Sequence, residues 1–284
     1  MQLISWNIQW GRGADGRVDL DRVVAQARAL ADFDVLCLQE VSSGYPELPG
    51  CDGSDQFAAL AQRLGGYSAV PGVATDTLGP DGWRRRFGNM VFSRYPVLRV
   101  LPHLLPWPAD AQVASMQRLA LEVTLALPSG PLRVTTTHLA YYSARQRAAQ
   151  IERLRELHAE AVAQAALQWS VPPADGPFVH VPRGGRAVLT GDFNCRPDSP
   201  EYRRLQEPLA EGVPPYVDAW RLLYPQQPHA PTVGVHDRAQ WPGPPFTFDF
   251  VFVSADLAPC VRALRVDAQA DGSDHQPVLL TLDV

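Results

Sequence analysis

The chain has 284 residues, 46% apolar and 19% charged, and its 25 basic residues, all arginine, against 30 acidic ones leave a net charge of −5. That composition excludes a disordered segment, a collagen, a coiled coil and a disulfide-dense mini-protein, and no apolar run approaches the roughly 20 residues a membrane span needs. The absence of lysine excludes Schiff-base and P-loop chemistry, and the acidic balance argues against tight, non-specific duplex binding by the whole surface.

A strand is predicted from Leu3 to Ile8, directly after Met1. With that strand so close to the start, the expectation is a chain without a signal peptide, located in the cytoplasm. Val18 to Leu30 follows with Val18, Val23, Val24, Ala27 and Leu30 at helical spacing. Val35 to Leu38 reads as a buried strand, and Ser54 is positioned to cap a helix that runs to Leu64 and ends at Gly65-Gly66. Strands are predicted at Phe87–Ser93, Val97–Leu104, Arg118–Leu127 and Leu132–His138, the last two joined as a hairpin by Pro128-Ser129-Gly130. Ser143 opens the longest helical pattern, with Ile151, Leu154, His158, Ala161 and Ala165 on one face. An irregular excursion from Trp169 to Gly185 precedes a strand at Ala187–Leu189. A Pro-rich loop from Pro225 to Pro245 precedes strands at Phe248–Val253, Val261–Val266 and Val278–Leu282. The first and last strands both serve one core, so the expectation is a single α/β domain over residues 1–284. Cys37, Cys51, Cys195 and Cys260 are too scattered to read as a zinc site or a disulfide framework.

Polar residues recur where apolar strands stop. The first strand ends at Asn7, the second at Gln39-Glu40, another at His138, and Val188-Leu189-Thr190-Gly191 runs into Asp192-Phe193-Asn194. Layered α/β proteins gather their sites at such strand ends. Singly, Asn7 also reads as a turn residue, Glu40 as an arginine partner, His138 as a core histidine, and Asp192 with Asn194 as an Asx-turn. Ser273-Asp274-His275 alone reads as a loop, because consecutive residues cannot form a hydrolase triad. Together they point elsewhere. Asn7, Glu40, Asp192, Asn194 and Asp274 offer oxygen donors, which select Mg²⁺ or Mn²⁺ over zinc. With a carboxylate base and imidazole and amide donors, that set suits hydrolysis of a phosphate ester.

In this order, Trp6-Asn7, Leu38-Gln39-Glu40, Gly88-Asn89-Met90-Val91-Phe92-Ser93, Thr137-His138-Leu139, Gly191-Asp192-Phe193-Asn194, the Phe248–Ser254 run and Ser273-Asp274-His275 resemble the motifs of the endonuclease/exonuclease/phosphatase superfamily. The resemblance spans nearly the whole chain. It implies a DNase I-like four-layer α/β sandwich of two mixed β-sheets packed face to face, with helices outside. It further implies that Glu40 is the principal ligand of Mg²⁺ or Mn²⁺, with Asn7 and Asp274 at or near the metal. Asp192 would orient and deprotonate the attacking water, while Asn194 and His138 would bind and polarise the phosphate. His275, oriented by Asp249, would contact a phosphate oxygen, and Asn89 is a further phosphate or water contact. Many relatives carry an arginine shortly before the Asp249 position and a tyrosine after it, whereas this chain reads Thr247-Phe248-Asp249-Phe250.

The resulting expectation is a divalent-metal-dependent phosphoesterase, monomeric and without a membrane span, acting on nucleic acid. Arg84-Arg85-Arg86 beside Trp83 reads either as a phosphate and base-stacking patch or as a solvated loop. Tyr142, just after His138, is a candidate wall of the cleft. The alternative is the same chemistry on a small or lipid-derived phosphoester, and a non-catalytic binding protein on the same fold is the remaining one.

Overall fold

The computed structural model describes residues 1–168 and 175–284. Twelve strands form two six-stranded mixed sheets. The first sheet takes β1 (Gln2–Asn7), β2 (Val35–Ser43), β3 (Ser68–Leu78) and β4 (Arg84–Ser93). The second takes β5 (Val97–Leu104), β6 (Leu119–Leu127), β7 (Gly130–His138), β8 (Ala187–Asp192), β9 (Tyr216–Asp218) and β10 (Asp249–Ser254). β11 (Val261–Val266) and β12 (Val278–Leu282) then return the chain to the first sheet. The spatial orders are β11-β12-β1-β2-β4-β3 and β5-β6-β7-β8-β10-β9. Each sheet has one parallel pair, β1 with β2 and β7 with β8, flanked by antiparallel neighbours.

The continuous apolar runs follow from burial on both faces. Because side chains alternate along a strand, Leu3, Val35, Cys37, Val134, Val188 and Val251 meet between the sheets. Their neighbours Ile4, Leu36 and Leu38 face outward onto α1 (Leu20–Leu30) and α2 (Gln56–Arg63). Leu189, Phe250 and Phe252 pack on the other side with residues of α3 (Ala144–Ala165) and α4 (Pro200–Gln206). A short α5 (Ala219–Leu223) completes the helices. Two sheets between outer helices are the four-layer sandwich expected above. No helix among the described residues is long and apolar enough to cross a membrane.

Some boundaries differ from the sequence reading. Val18 lies outside α1, which is capped by Asp19 accepting from Arg22 N at 3.0 Å. Asp55, not Ser54, caps α2, accepting from Ala58 N at 3.3 Å. Ser143 caps α3 as expected, although Ala165 is exposed. β3, β9, α4 and α5 were not predicted. Pro71-Gly72 interrupts the strand pattern of β3, which is tolerated because this is an edge strand. Within the Trp169–Gly185 excursion, residues 169–174 lie outside the described residues, and Gly176–Phe178 forms a 3-10 turn.

A charged network lies inside the second sheet, five residues before His138 on β7. Glu122 accepts from Arg183 Nε at 2.9 Å and Nη2 at 3.2 Å and lies 3.6 Å from Arg133 Nη1. Arg133 also donates to Nδ1 of buried His158, whose Nε2 donates to Pro214 O at 2.8 Å. Burial, then the Arg133 charge, pull the His158 pKa down to about 4. The unfolded chain takes up this proton near pH 6.5 and the native state only near 4, so stability falls as pH drops through that window. The loss of unfolding free energy between pH 7 and pH 5 is expected to be about 2 kcal/mol smaller in His158→Gln than in the wild type, measured by urea titration. An equal loss in both proteins contradicts this assignment.

Candidate active site

The parallel pairs bring their carboxyl ends to one pole. Asn7 closes β1 and lies opposite Gln39 of β2, while His138 closes β7 and lies opposite Asp192 of β8. Asp192 is also paired in register with Asp249 at the start of β10. The chain can place Asp192 there only because Gly191 precedes it. Gly191 has φ +137°, and a Cβ at this position would lie 1.9 Å from Thr137 O of β7.

Glu40 arrives by a different device. The register between β2 and β4 shifts between Leu38 and Val41, and Glu40 itself has φ +61°. Such a bulge re-aims a side chain at the cost of about 1 to 3 kcal/mol of backbone strain. Glu40 Oε1 accepts from Asn7 Nδ2 at 3.1 Å, and the same amide nitrogen donates to Asp192 Oδ2 at 3.0 Å. One amide thus ties together carboxylates from the two sheets. Asn7 Oδ1 accepts from Gln9 N at 3.0 Å, so the oxygen expected to assist at a metal is turned away from both carboxylates in this orientation.

Around this bridge, His138 Nδ1 lies 3.8 Å from Glu40 Oε1 and its Nε2 lies 3.5 Å from Asp192 Oδ2. His275 Nε2 lies 3.8 Å from Asp192 Oδ2, and its Nδ1 donates to Asp249 Oδ2 at 2.8 Å. Asp249 thus accepts from the His275 ring, and its backbone N–H and that of Phe248 both donate to Thr232 Oγ1 at 3.2 Å. Asn194, at φ +50°, donates its backbone N–H to Asp192 Oδ1 at 2.9 Å and its Nδ2 to Leu139 O at 3.0 Å. Asp274 Oδ2 accepts from Gln240 Nε2 and Trp241 Nε1, both at 2.9 Å.

Burial first, then the Asp249 charge, push the Asp192 carboxyl up to about 7, with the His275 charge opposing. Burial and the Asp274 charge also raise Glu40. Burial, with the positive charges of Arg118 and His275, lowers His138 well below the usual imidazole range and keeps it neutral. For His275, burial opposes the charge, but Asp249, Asp274 and Asp192 outweigh it and hold the ring as an imidazolium. The pit thus combines one neutral and one cationic imidazole with carboxylates in want of positive charge.

Glu40, His138 and Asp192 place donor atoms within 4.8 Å of one another, as do Asp192, Asp249 and His275. Asp249 Oδ1 is buried without a hydrogen-bond partner. The converging carboxylates fit a hard divalent cation, with Glu40 as its holder and Asp192 beside it. Asp274 lies near enough for its charge to act on Glu40 but belongs to neither group.

Other candidates stand apart from this cluster. Asn89 donates to Leu119 O at 3.4 Å and makes no hydrogen bond to the carboxylates. Arg84, Arg85 and Arg86 lie on β4, not in a loop, and pair with Asp76 at 2.8 Å, Glu47 at 2.8 Å and Asp55 at 2.7 Å. The expected phosphate patch is therefore neutralised by carboxylates brought in from elsewhere in the chain. Tyr142 is 65% exposed and packs edge-on against Tyr141, whose ring in turn meets Trp241 and Phe248. Arg196 lies 3.6 Å above the Phe246 ring, extending this aromatic rim. Arg118, Gln240 and Trp241 are site residues that the search for polar strand ends missed.

The sequence from residue 4 to residue 275 matches the model of the endonuclease/exonuclease/phosphatase family. The chain belongs to that family. Similar solved structures include an endonuclease/exonuclease/phosphatase from Beutenbergia cavernae, 24% identical over 99% of this chain and 71% of that one, with a TM-score of 0.68. A mannosyl-6-phosphatase from Bacteroides thetaiotaomicron is 18% identical over the full length of both chains, TM-score 0.66. A 3′ phosphatase from Neisseria, bound to a product DNA hairpin, is 20% identical over the full length of both, TM-score 0.62. At these identities the likeness establishes the fold. No curated protein matches the chain. Family membership makes this chain a phosphoesterase-type protein.

Proposed function

We propose that the chain is a divalent-metal-dependent hydrolase of phosphate esters that attacks phosphorus directly with water. The observation that carries this reading is the Glu40–Asn7–Asp192 bridge between the sheets, with His138 and the Asp249–His275 pair beside it. A divalent cation held by Glu40, with Asp192 left free beside it, would supply charge neutralisation at the phosphate. Asp192, whose carboxyl titrates near neutrality, takes a proton from the attacking water. The hydroxyl ends on phosphorus, the phosphorus–oxygen bond to the organic group breaks, and the leaving oxygen is protonated from solvent. The cationic His275, oriented by Asp249, and the neutral His138 donate to the phosphate oxygens as negative charge builds.

For the substrate, the neutralisation of Arg84–Arg86 favours a small phosphoester over a polymer that must be tracked by several basic contacts. The aromatic rim of Tyr141, Tyr142 and Trp241 supports the second reading, a nucleic-acid end whose base stacks there. A screen of sugar phosphates, nucleotides, aryl phosphodiesters and oligonucleotides with Mg²⁺ and with Mn²⁺ tests both. We expect turnover of a small ester, with KM changing less than about threefold between 50 and 200 mM salt. A polymer substrate reveals itself by a loss of orders of magnitude over that range, and no turnover of any class removes the enzymatic reading.

A further inference from the structure

Arg118 immediately precedes β6 and sits at the active-site pole because β6 runs antiparallel to β7, with Ala120 opposite Thr137. Its backbone is fixed, the carbonyl accepting from Leu105 N at 2.9 Å and from Gln117 Nε2 at 2.8 Å. Its guanidinium is not. Among the described residues it forms no ion pair and donates no hydrogen bond, and Nη1 is shut off from solvent with no partner. A guanidinium nitrogen withdrawn from water without a partner is costly, and such groups are ordinarily paired. Arg84, Arg85, Arg86, Arg133 and Arg183 all meet a carboxylate in this chain.

The fold shows what Arg118 faces. Along the second sheet, His138, Asp192 and Asp249 lie in register on β7, β8 and β10, and Ala120 opposite Thr137 puts Arg118 one residue beyond that row on the β6 side. The Arg118 charge acts on Glu40, Asp192 and His138, so the guanidinium reaches the pit from the β6 side, while the Asp249-held His275 enters it from the β10 side. A cleft of about 270 Å³ opens beside Arg118, lined also by Ser115, Met116, Ala140, Tyr141 and Tyr142. Its shape leaves the guanidinium as the one cationic group on an otherwise neutral wall.

We propose that Arg118 is the substrate's phosphate receptor: it donates to phosphoryl oxygens on the side of the pit opposite His275 and aligns the ester with its organic part in the Tyr141–Tyr142 cleft. The inference rests on the phosphoesterase reading for its substrate, but its own content is an anion site. Guanidinium is suited to the task, since its planar fork offers parallel donors to two oxygens of one phosphate. Absence of a partner in the ligand-free chain then has a physical use. Binding need not break an existing ion pair.

The test measures binding of inorganic phosphate by calorimetry to the Mn²⁺-loaded full chain, as wild type, Arg118→Gln and Arg118→Lys. Mn²⁺ affinity and the melting temperature are followed in the same three proteins. We expect Arg118→Gln to weaken phosphate about 10- to 100-fold, the size of a charge-assisted contact to a buried anion. Arg118→Lys should recover part of that loss, with Mn²⁺ affinity changed less than about twofold. Unchanged phosphate affinity in Arg118→Gln overturns the assignment. So does a loss of phosphate binding matched by an equal loss of Mn²⁺ binding, or by a fall in melting temperature in both variants. Phosphate binding that depends on Arg118 in a wild type that turns over no ester sinks the proposed activity and leaves the anion site standing.

Discussion

Replacing Asp192 by asparagine is expected to lower kcat by about 10³-fold or more at saturating metal and substrate. Asparagine keeps the size of the side chain and an oxygen for the Asn194 N–H, so the turn after β8 survives. What it removes is the ability to accept a proton, the acceptor for Asn7 Nδ2, and a negative charge 3.5 Å from His138 Nε2 and 3.8 Å from His275 Nε2. Wild-type activity should rise with pH as this carboxyl ionises. Because burial raises its pKa to about 7, the acid limb belongs above the ordinary carboxylate range, although a bound cation moves it down. Steady-state kinetics of the purified variant, with circular dichroism to confirm folding, provide the measurement. A variant within tenfold of wild type assigns the proton acceptor to another group.

Glu40→Gln should separate activity from stability in the opposite direction to most core changes. The metal concentration for half-maximal activity is expected to rise by at least about 100-fold, since a principal anionic donor is exchanged for a neutral one. The melting temperature should be equal to or above that of the wild type, because the substitution removes a shielded carboxylate that burial and Asp274 already disfavour. Calorimetric titration with Mn²⁺ beside thermal melts tests both halves. Unchanged metal affinity removes Glu40 from the metal site, and a large drop in melting temperature gives the residue a structural role.

The sequence reveals the layered fold because the physics that builds it is local. Leu3-Ile4, Leu36-Cys37-Leu38 and Val188-Leu189 are apolar at every position, a pattern suited to strands covered on both sides. The site is legible for the same reason: Asn7, His138 and Asp192 interrupt apolar runs at their ends. Arg118 escapes that search because it stands at the beginning of a strand, and only the antiparallel pairing of β6 with β7 carries it to the same pole. The local run Arg84-Arg85-Arg86 suggests a free basic patch, while its partners Glu47, Asp55 and Asp76 are set opposite it by tertiary structure. Trp241 and Gln240 come from a Pro-rich loop with no periodicity, so nothing in their spacing announces that both reach Asp274.

Asn7 and Asp192 come from different sheets and touch across the seam between them. The two halves of the molecule therefore meet twice, once through a broad apolar contact without directional bonds and once through a handful of directional ones. Sliding one half by a single ångström takes a 3.0 Å bond such as Asn7–Asp192 beyond hydrogen-bonding distance. Mutations in the apolar middle, such as at Val134 or Val188, therefore act on turnover by detuning alignment well before they unfold the chain.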